Sequence, residues 1–147
     1  MVNKSRFDQI CANGEVSGPA STQEIEHAEK ELGVKFPKEY QEFLEEFGAV
    51  LANGVEVYGL PSSELNAPPL WQNVVTVTKE LRDWGQVGAD QSALIPISED
   101  GTGVYFFLDT RVSPETKIWA IGPRVEKVVA SNLFDFVVEL SEGTIEL

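Results

Sequence analysis

Residues 21–48 read STQEIEHAEKELGVKFPKEYQEFLEEFG, and the surrounding stretch from Pro19 to Leu60 is organised around them. Ile25, Ala28 and Leu32 recur at three- and four-residue steps, and after a break Tyr40, Phe43, Leu44 and Phe47 do the same. This spacing gives two helices, each with an apolar stripe on one side and carboxylates and lysines on the other. Ser21 followed three residues later by Glu24 has the form of a capping box, in which the hydroxyl takes one orphan amide and the carboxylate reaches back to another. Gly33 stands where a left-handed residue ends the first helix. Pro37 stands where a missing N–H costs nothing at the start of the second, and Gly48 stops it. Neither helix can hide its stripe alone, so the rest of the chain must supply a surface to pack on.

The 147 residues form one domain, residues 1–147, with its core at about 19–142. A chain of this length buries about 68–70% of its unfolded surface, enough for a core without staples. No run approaches the ~20 apolar residues that span a bilayer. Met1 to Ala12 carries Lys4 and Arg6 but no apolar run of the kind a secretory signal needs. The single cysteine, Cys11, excludes an internal disulfide. Together these features lead us to expect a cytoplasmic protein. A formal charge of −13 works against binding to nucleic acid, whose phosphates need Lys and Arg, and against docking on anionic membranes. Two meanings remain: solubility, or a basic partner drawn to an acidic face.

Along the chain, Lys4 to Ala12 reads as a short helix with Phe7, Ile10 and Cys11 inward, and Asn13 to Pro19 as a turn-rich spacer. Asn53-Gly54 is a turn signal, after which Val55, Val57 and Leu60 alternate as in a strand. Pro61 to Pro69 is a loop. Trp71 to Trp84 carries both periods, but Val74, Val77, Leu81 and Trp84 fit a helical face over the full length. Strands are expected at Leu94 to Ile97, Gly103 to Leu108, Lys117 to Ile121 and Val125 to Val129, with Glu99-Asp100-Gly101-Thr102 turning the first hairpin. Leu133, Phe136, Val137 and Leu140 give a closing helix capped by Ser131 or Asn132. The fold class is α+β: a mostly antiparallel twisted sheet packed by N-terminal helices, a middle helix and a C-terminal helix.

No constellation in the sequence carries chemistry, so no catalytic residue is assigned. The single histidine, His27, lies on the polar side of an acidic helix, whereas a nucleophilic triad needs the imidazole beside a nucleophile. Cys11 reads as a small core hydrophobe. A zinc site wants three or four Cys or His ligands, and this chain lacks them, so no metal or cofactor is expected. With 24 Asp and Glu residues some carboxylates will lie close by chance, and nothing marks one pair as the acid and base of a glycosidase. Asp100-Gly-Thr-Gly103 lacks the Gly-Lys-Ser/Thr ending of a phosphate loop and reads as a turn needing positive φ. Of the tryptophans, Trp119 and Trp84 read as core. Trp71, after Pro68-Pro69-Leu70, is either a loop pinned to the core or an exposed partner anchor.

Ile25-x-x-Ala28-Glu29-x-x-Leu32-Gly33, then Phe36-Pro37-x-x-Tyr40-x-x-Phe43-Leu44 and Gly48, resembles the opening signature of the SUKH superfamily, the Smi/Knr-type domain. Val57-Tyr58-Gly59-Leu60 is similar to the strand that follows in that family. Leu94-Ile95-Pro96-Ile97, Asp100-Gly-x-Gly103 and Leu108-Asp109 resemble its central hairpin, and Ser131, Phe134 and Phe136 its closing helix. The resemblance runs from about Ser21 to Leu140 and rests on the ordered set rather than on any one motif. Gly48 to Gly54 departs from it, being more apolar than the short turn expected there. The resemblance implies an α+β fold with a mixed, twisted sheet, and no shared catalytic motif. It also implies that Tyr40, Phe43, Gly59 and Asp109 hold the fold rather than contact a partner.

Most bacterial members of the superfamily are immunity proteins that bind and neutralise polymorphic toxins, often nucleases. The expected function is therefore occlusion of a basic toxin, without chemistry; the alternative is a regulatory protein-interaction module of the same fold. The candidate partner contacts are acidic or aromatic loop residues: Glu64, Trp71, Asp90, Glu99 and Asp100.

Overall fold

A computed structural model describes residues 4–52, 54–60, 73–86, 92–113 and 116–145. The helices are α1 (Lys4–Asn13), α2 (Thr22–Leu32), α3 (Lys38–Glu46), α4 (Val74–Trp84) and α5 (Leu133–Glu142). The strands are β1 (Glu15–Val16), β2 (Val50–Ala52), β3 (Val55–Val57), β4 (Leu94–Glu99), β5 (Tyr105–Asp109), β6 (Ile118–Gly122) and β7 (Val125–Ala130). They pair in two antiparallel sheets, one ordered β1-β2-β3 and the other β4-β5-β6-β7. The α+β class is as the sequence implied. The division into two sheets, and the short strand β1 inside the stretch expected to be a spacer, are not.

The opening helices form for the reasons their sequence gives. Ser21 Oγ accepts from the Glu24 amide at 3.1 Å while Glu24 Oε1 accepts from the Ser21 amide at 3.2 Å, which closes the capping box. Gly33 ends α2 in the left-handed region at φ 70°. Ile25, Ala28 and Leu32 are buried, as are Tyr40, Phe43 and Leu44 of α3. Phe7 of α1 meets Phe43, Phe47 and Phe134 edge-on, so three separate elements share one aromatic cluster. The Tyr40 hydroxyl, wholly buried, donates to the Tyr58 carbonyl at 2.7 Å. Backbones also approach closely here: a Cβ on Gly59 would run into the Gly48 carbonyl oxygen, and one on Gly48 into that of Gly18. Only glycine fits those crossings.

The apolar run after Gly48 becomes β2, whose Val50 and Ala52 are buried and which pairs with both β1 and β3. A bulge in β4 then links the two sheets. Ile97 falls between the pairs Pro96–Phe107 and Ser98–Phe106, and its carbonyl instead accepts from the Tyr58 amide at 2.7 Å. Ser98 Oγ adds a bond to the Glu56 carbonyl at 2.7 Å. The inner face of the second sheet, with Ile95, Ile97, Phe106, Leu108, Ile118 and Ala120, is closed off in the main core.

Residues 74–84 are a helix, capped by Asn73 and ended by Gly85. Val74, Val77, Thr78 and Leu81 are its buried face, and Trp84, expected in the core, is 70% exposed. At 100° per residue position 84 falls about 70° from the centre of that face, and the helix stops before another rung can form. Asn132, rather than Ser131, caps α5, accepting from the Asp135 amide at 2.8 Å. A carboxylate also serves the same helix end. Glu39 of α3, 8% exposed, accepts from the Leu133 amide and from Thr116 Oγ1.

Candidate functional site

The outer face of the β4–β7 sheet gathers the groups best suited to meet another molecule, and strand register sets them in three transverse rows. The first runs Glu99–Tyr105–Ile121–Glu126, the second Pro96–Phe107–Trp119–Val128, and the third begins Leu94–Asp109. Leu94, Phe107 and Ile121 are closed off in a small cluster of their own, against which Tyr105 and Trp119 pack half-buried. Glu99, Glu126 and Val128 are exposed, so carboxylates mark both ends of the first row.

The third row is ionic. Asp109, 2% exposed, accepts from the Arg111 amide (3.0 Å), Nε (2.9 Å) and Nη2 (2.8 Å), and from Trp119 Nε1 at 3.3 Å. Hydrogen bonding from the Arg111 side chain, ahead of every other influence, holds the Asp109 carboxyl below its ordinary value. The Lys117 ammonium lies 5.1 Å from the Trp119 ring centroid, a cation–π contact. Trp119 is therefore half-buried and held from two sides rather than sunk in the core.

At the other end, burial and then the neighbouring Glu99 carboxylate raise the Tyr105 phenol; Glu80 of α4 adds to the effect. Tyr58, just beyond β3, is 2% exposed, and its phenol is pushed up by burial and then by the charges of Glu99 and Glu56. Glu99 thus raises both phenols, with Glu56 of β3 adding at Tyr58 and Glu80 of α4 at Tyr105.

Of the residues proposed from sequence, Glu64, Trp71 and Asp90 lie outside the described residues. Glu99 is exposed in the first row. Asp100 faces its own turn, where Oδ1 accepts from the Thr102 amide and hydroxyl at 2.8 Å each and from the Val104 amide at 3.3 Å. The Gly101 and Gly103 conformations, at φ 87° and 98°, match the turn reading. Nothing in the sequence singles out Glu56, Glu80 or Tyr105, and the expectation of a core Trp119 gives way to a half-buried ring. Alternation along each strand marks their faces, but the bulge at Ile97 that brings β3 beside β4 leaves no local signal.

Elsewhere, a groove of about 330 Å³ between α2 and α4 is lined by His27, Glu31, Leu60 and Thr76, among others. His27 is exposed and pairs with Glu31 at 3.0 Å, and Glu31 is also bridged by Lys79 at 2.9 Å. Cys11 is buried in α1. Among the described residues no group of three His, Cys, Asp or Glu side chains is placed to hold a metal ion.

A family model described as "SMI1-KNR4 cell-wall", of the SUKH group, matches residues 4–142. The chain belongs to the SUKH family. No curated protein matches it. Among solved structures, the SUKH chain is similar to one titled as the crystal structure of a protein from Pseudomonas syringae pv. tomato. The two are 18% identical with a TM-score of 0.57, over 84% of this chain and 88% of that one. At that identity the likeness shows a shared fold. The family match begins at residue 4, so it takes in α1, which lies outside the signature read from Ser21 onward. The fold-holding roles implied for Tyr40, Phe43, Gly59 and Asp109 agree with their burial and bonding. No helix among the described residues is long and apolar enough to cross a membrane.

Proposed function

We propose that this SUKH chain is the immunity protein of a bacterial polymorphic toxin system, acting in the cytoplasm by binding a basic toxin, of nuclease type, and covering its working surface. The observation that carries this reading is family membership over residues 4–142, joined to a charge of −13. SUKH domains are in general non-enzymatic immunity or regulatory modules, and the mechanism here is steric and electrostatic. Glu99 and Glu126 present charge beside the half-buried rings of Tyr105 and Trp119. Carboxylates steer a basic partner in while aromatic surface supplies contact area. Glu64, Trp71, Asp90 and Asp100 complete the proposed contact set. Association would approach ~10⁸–10⁹ M⁻¹s⁻¹ at low salt, and a stable complex would bury on the order of 1,600 Å² in total. The "cell-wall" wording of the family description favours a second reading, a regulatory protein-interaction module of the same fold without a toxin.

Co-expression with the products of the adjacent genes separates the two. The immunity reading expects rescue from a toxic neighbour, and loss of that rescue when Glu99 and Glu126 both become lysine. Asp100 is left intact in this test because its carboxylate holds the turn. Absence of rescue from every neighbour removes the immunity reading. Rescue that ignores both the charge reversal and salt removes the electrostatic mechanism.

A further inference from the structure

Main-chain bonds in an antiparallel ladder alternate between the two sides of each strand, so one bonded pair fixes the direction of the rest. The Asp109 amide donates to the Lys117 carbonyl at 2.9 Å, and the pairs Phe107–Trp119 and Tyr105–Ile121 follow at two-residue steps. Trp119 and Ile121 therefore turn their main-chain groups to β5, and Ala120 and Gly122 turn theirs to β7, opposite Lys127 and Val125. Glu126 and Val128 are left with N–H and C=O groups pointing away from the sheet, and among the described residues nothing bonds to them. The side chains agree with an open edge: Glu126 and Lys127 are exposed, and Val128 is 42% exposed. At the opposite flank of the sheet, β4 is tied to β3 through the Tyr58 amide. A bulge between the Trp119–Val128 and Ile118–Ala130 pairs ends the free run, and bulges and lysines are the usual devices that restrict pairing at an edge. Beside this run, between β7 and the end of α5, lies a groove of about 260 Å³ lined by Lys127, Val128, Val129, Glu139, Thr144 and Ile145.

We infer that the β7 edge takes an extended segment of a protein partner as a fifth strand of the four-stranded sheet, with a basic side chain opposite Glu126 and an apolar one turned to the groove. This rests on the proposed function and names the surface by which the partner is held. In strand addition the main-chain bonds supply affinity and alternate side chains supply selectivity. Charge chooses the segment here. On the outer face Glu126 favours a basic residue directly across from it, while Lys127, on the other face, disfavours one there. Val128 stands across from Trp119, so an added strand also lengthens the row Pro96–Phe107–Trp119–Val128. The edge strand β1 has two residues, too short a run for the same purpose.

The test uses the whole chain, isotope-labelled at its amides and titrated at low salt with a blocked Thr-Val-Val-Lys-Thr peptide. The same peptide methylated on its three central amide nitrogens, which removes the donors and keeps the charge, is the control. Saturable shifts and slowed amide exchange are expected at Glu126 and Val128. The Val125 and Lys127 amides, which the register already commits to β6, and the Val16 amide of β1 should keep their exchange rates. Glu126→Lys should weaken binding about fivefold with Tm unchanged. No saturable binding, equal shifts with the methylated peptide, slowing without that alternation, or full affinity in Glu126→Lys would overturn the inference. So would slowing at Glu126 and Val128 that grows with protein concentration in the absence of peptide, with a dimer by ultracentrifugation, which would assign the edge to a second copy of the chain. Peptide binding without rescue from any neighbour would remove the immunity reading and leave this edge standing; rescue without peptide binding would do the reverse.

Discussion

The two faces of the β4–β7 sheet divide the work of the molecule. On the inner face Phe106 packs 5.1 Å from Phe136 of α5, in one core with the buried Ile95, Ile97, Leu108, Ile118 and Ala120. On the outer face the same strands carry Tyr105, Phe107 and Trp119 between carboxylates, and two of those rings stay half-buried. One face is finished by the chain's own helices. The other keeps aromatic surface and charge together, an expensive combination for stability alone and a useful one for recognition. Carboxylates divide in the same way. Glu39 and Asp109 are committed inside the fold, whereas Glu99 and Glu126 are exposed in it.

The largest contrast should come from the rings themselves. Phe106→Ala should cost about 3–5 kcal/mol as a cavity in the main core, against about 1–2 kcal/mol for Trp119→Ala, read by denaturant unfolding. Comparable losses would mean that the outer face is as structural as the inner one. Next, Glu39→Ala strands the Leu133 amide and the Thr116 hydroxyl, and should cost roughly 2–3 kcal/mol, with α5 amides losing exchange protection first. Unchanged protection in α5 would show that Asn132 caps that helix unaided.

Asp109 gives a pH test. Its folded pKa is depressed, so its contribution is complete above the ordinary aspartate value of 3.8 and disappears as pH falls through the lower folded value. Asp109→Asn should lower stability by roughly 1–3 kcal/mol at neutral pH, and the gap to the unaltered protein should narrow below that value. A gap constant down to acid pH would contradict the assignment. The smallest effect is expected at Glu99→Lys, within about 0.5 kcal/mol of the unaltered protein. A larger loss would place Glu99 with the structural carboxylates.

Much of the fold is legible because it is written locally. Ser21, Glu24 and Gly33 bracket α2, and Val74, Val77 and Leu81 outvote the strand-like alternation in the same stretch once ten residues are counted together. Trp84 misleads for a local reason as well: the apolar step pattern continues one rung past the surface available to receive it. The division into two sheets is not local. It depends on Ile97 leaving its ladder to bind Tyr58, 39 residues earlier, and alternation looks the same with or without that bulge. The candidate site inherits this. Glu99 reads from sequence as a charge beside a turn, but its influence on both Tyr58 and Tyr105 comes from long-range pairing. Asp100, adjacent in sequence, faces its own backbone instead.

The most direct measurement is the affinity of the toxic neighbour's product for the unaltered chain and for the Glu99→Lys, Glu126→Lys double variant, by calorimetry at two salt concentrations. The account predicts a loss of at least about tenfold on charge reversal, a steeper salt dependence for the unaltered chain, and equal Tm for the two proteins. Equal affinity at both salt concentrations would contradict it.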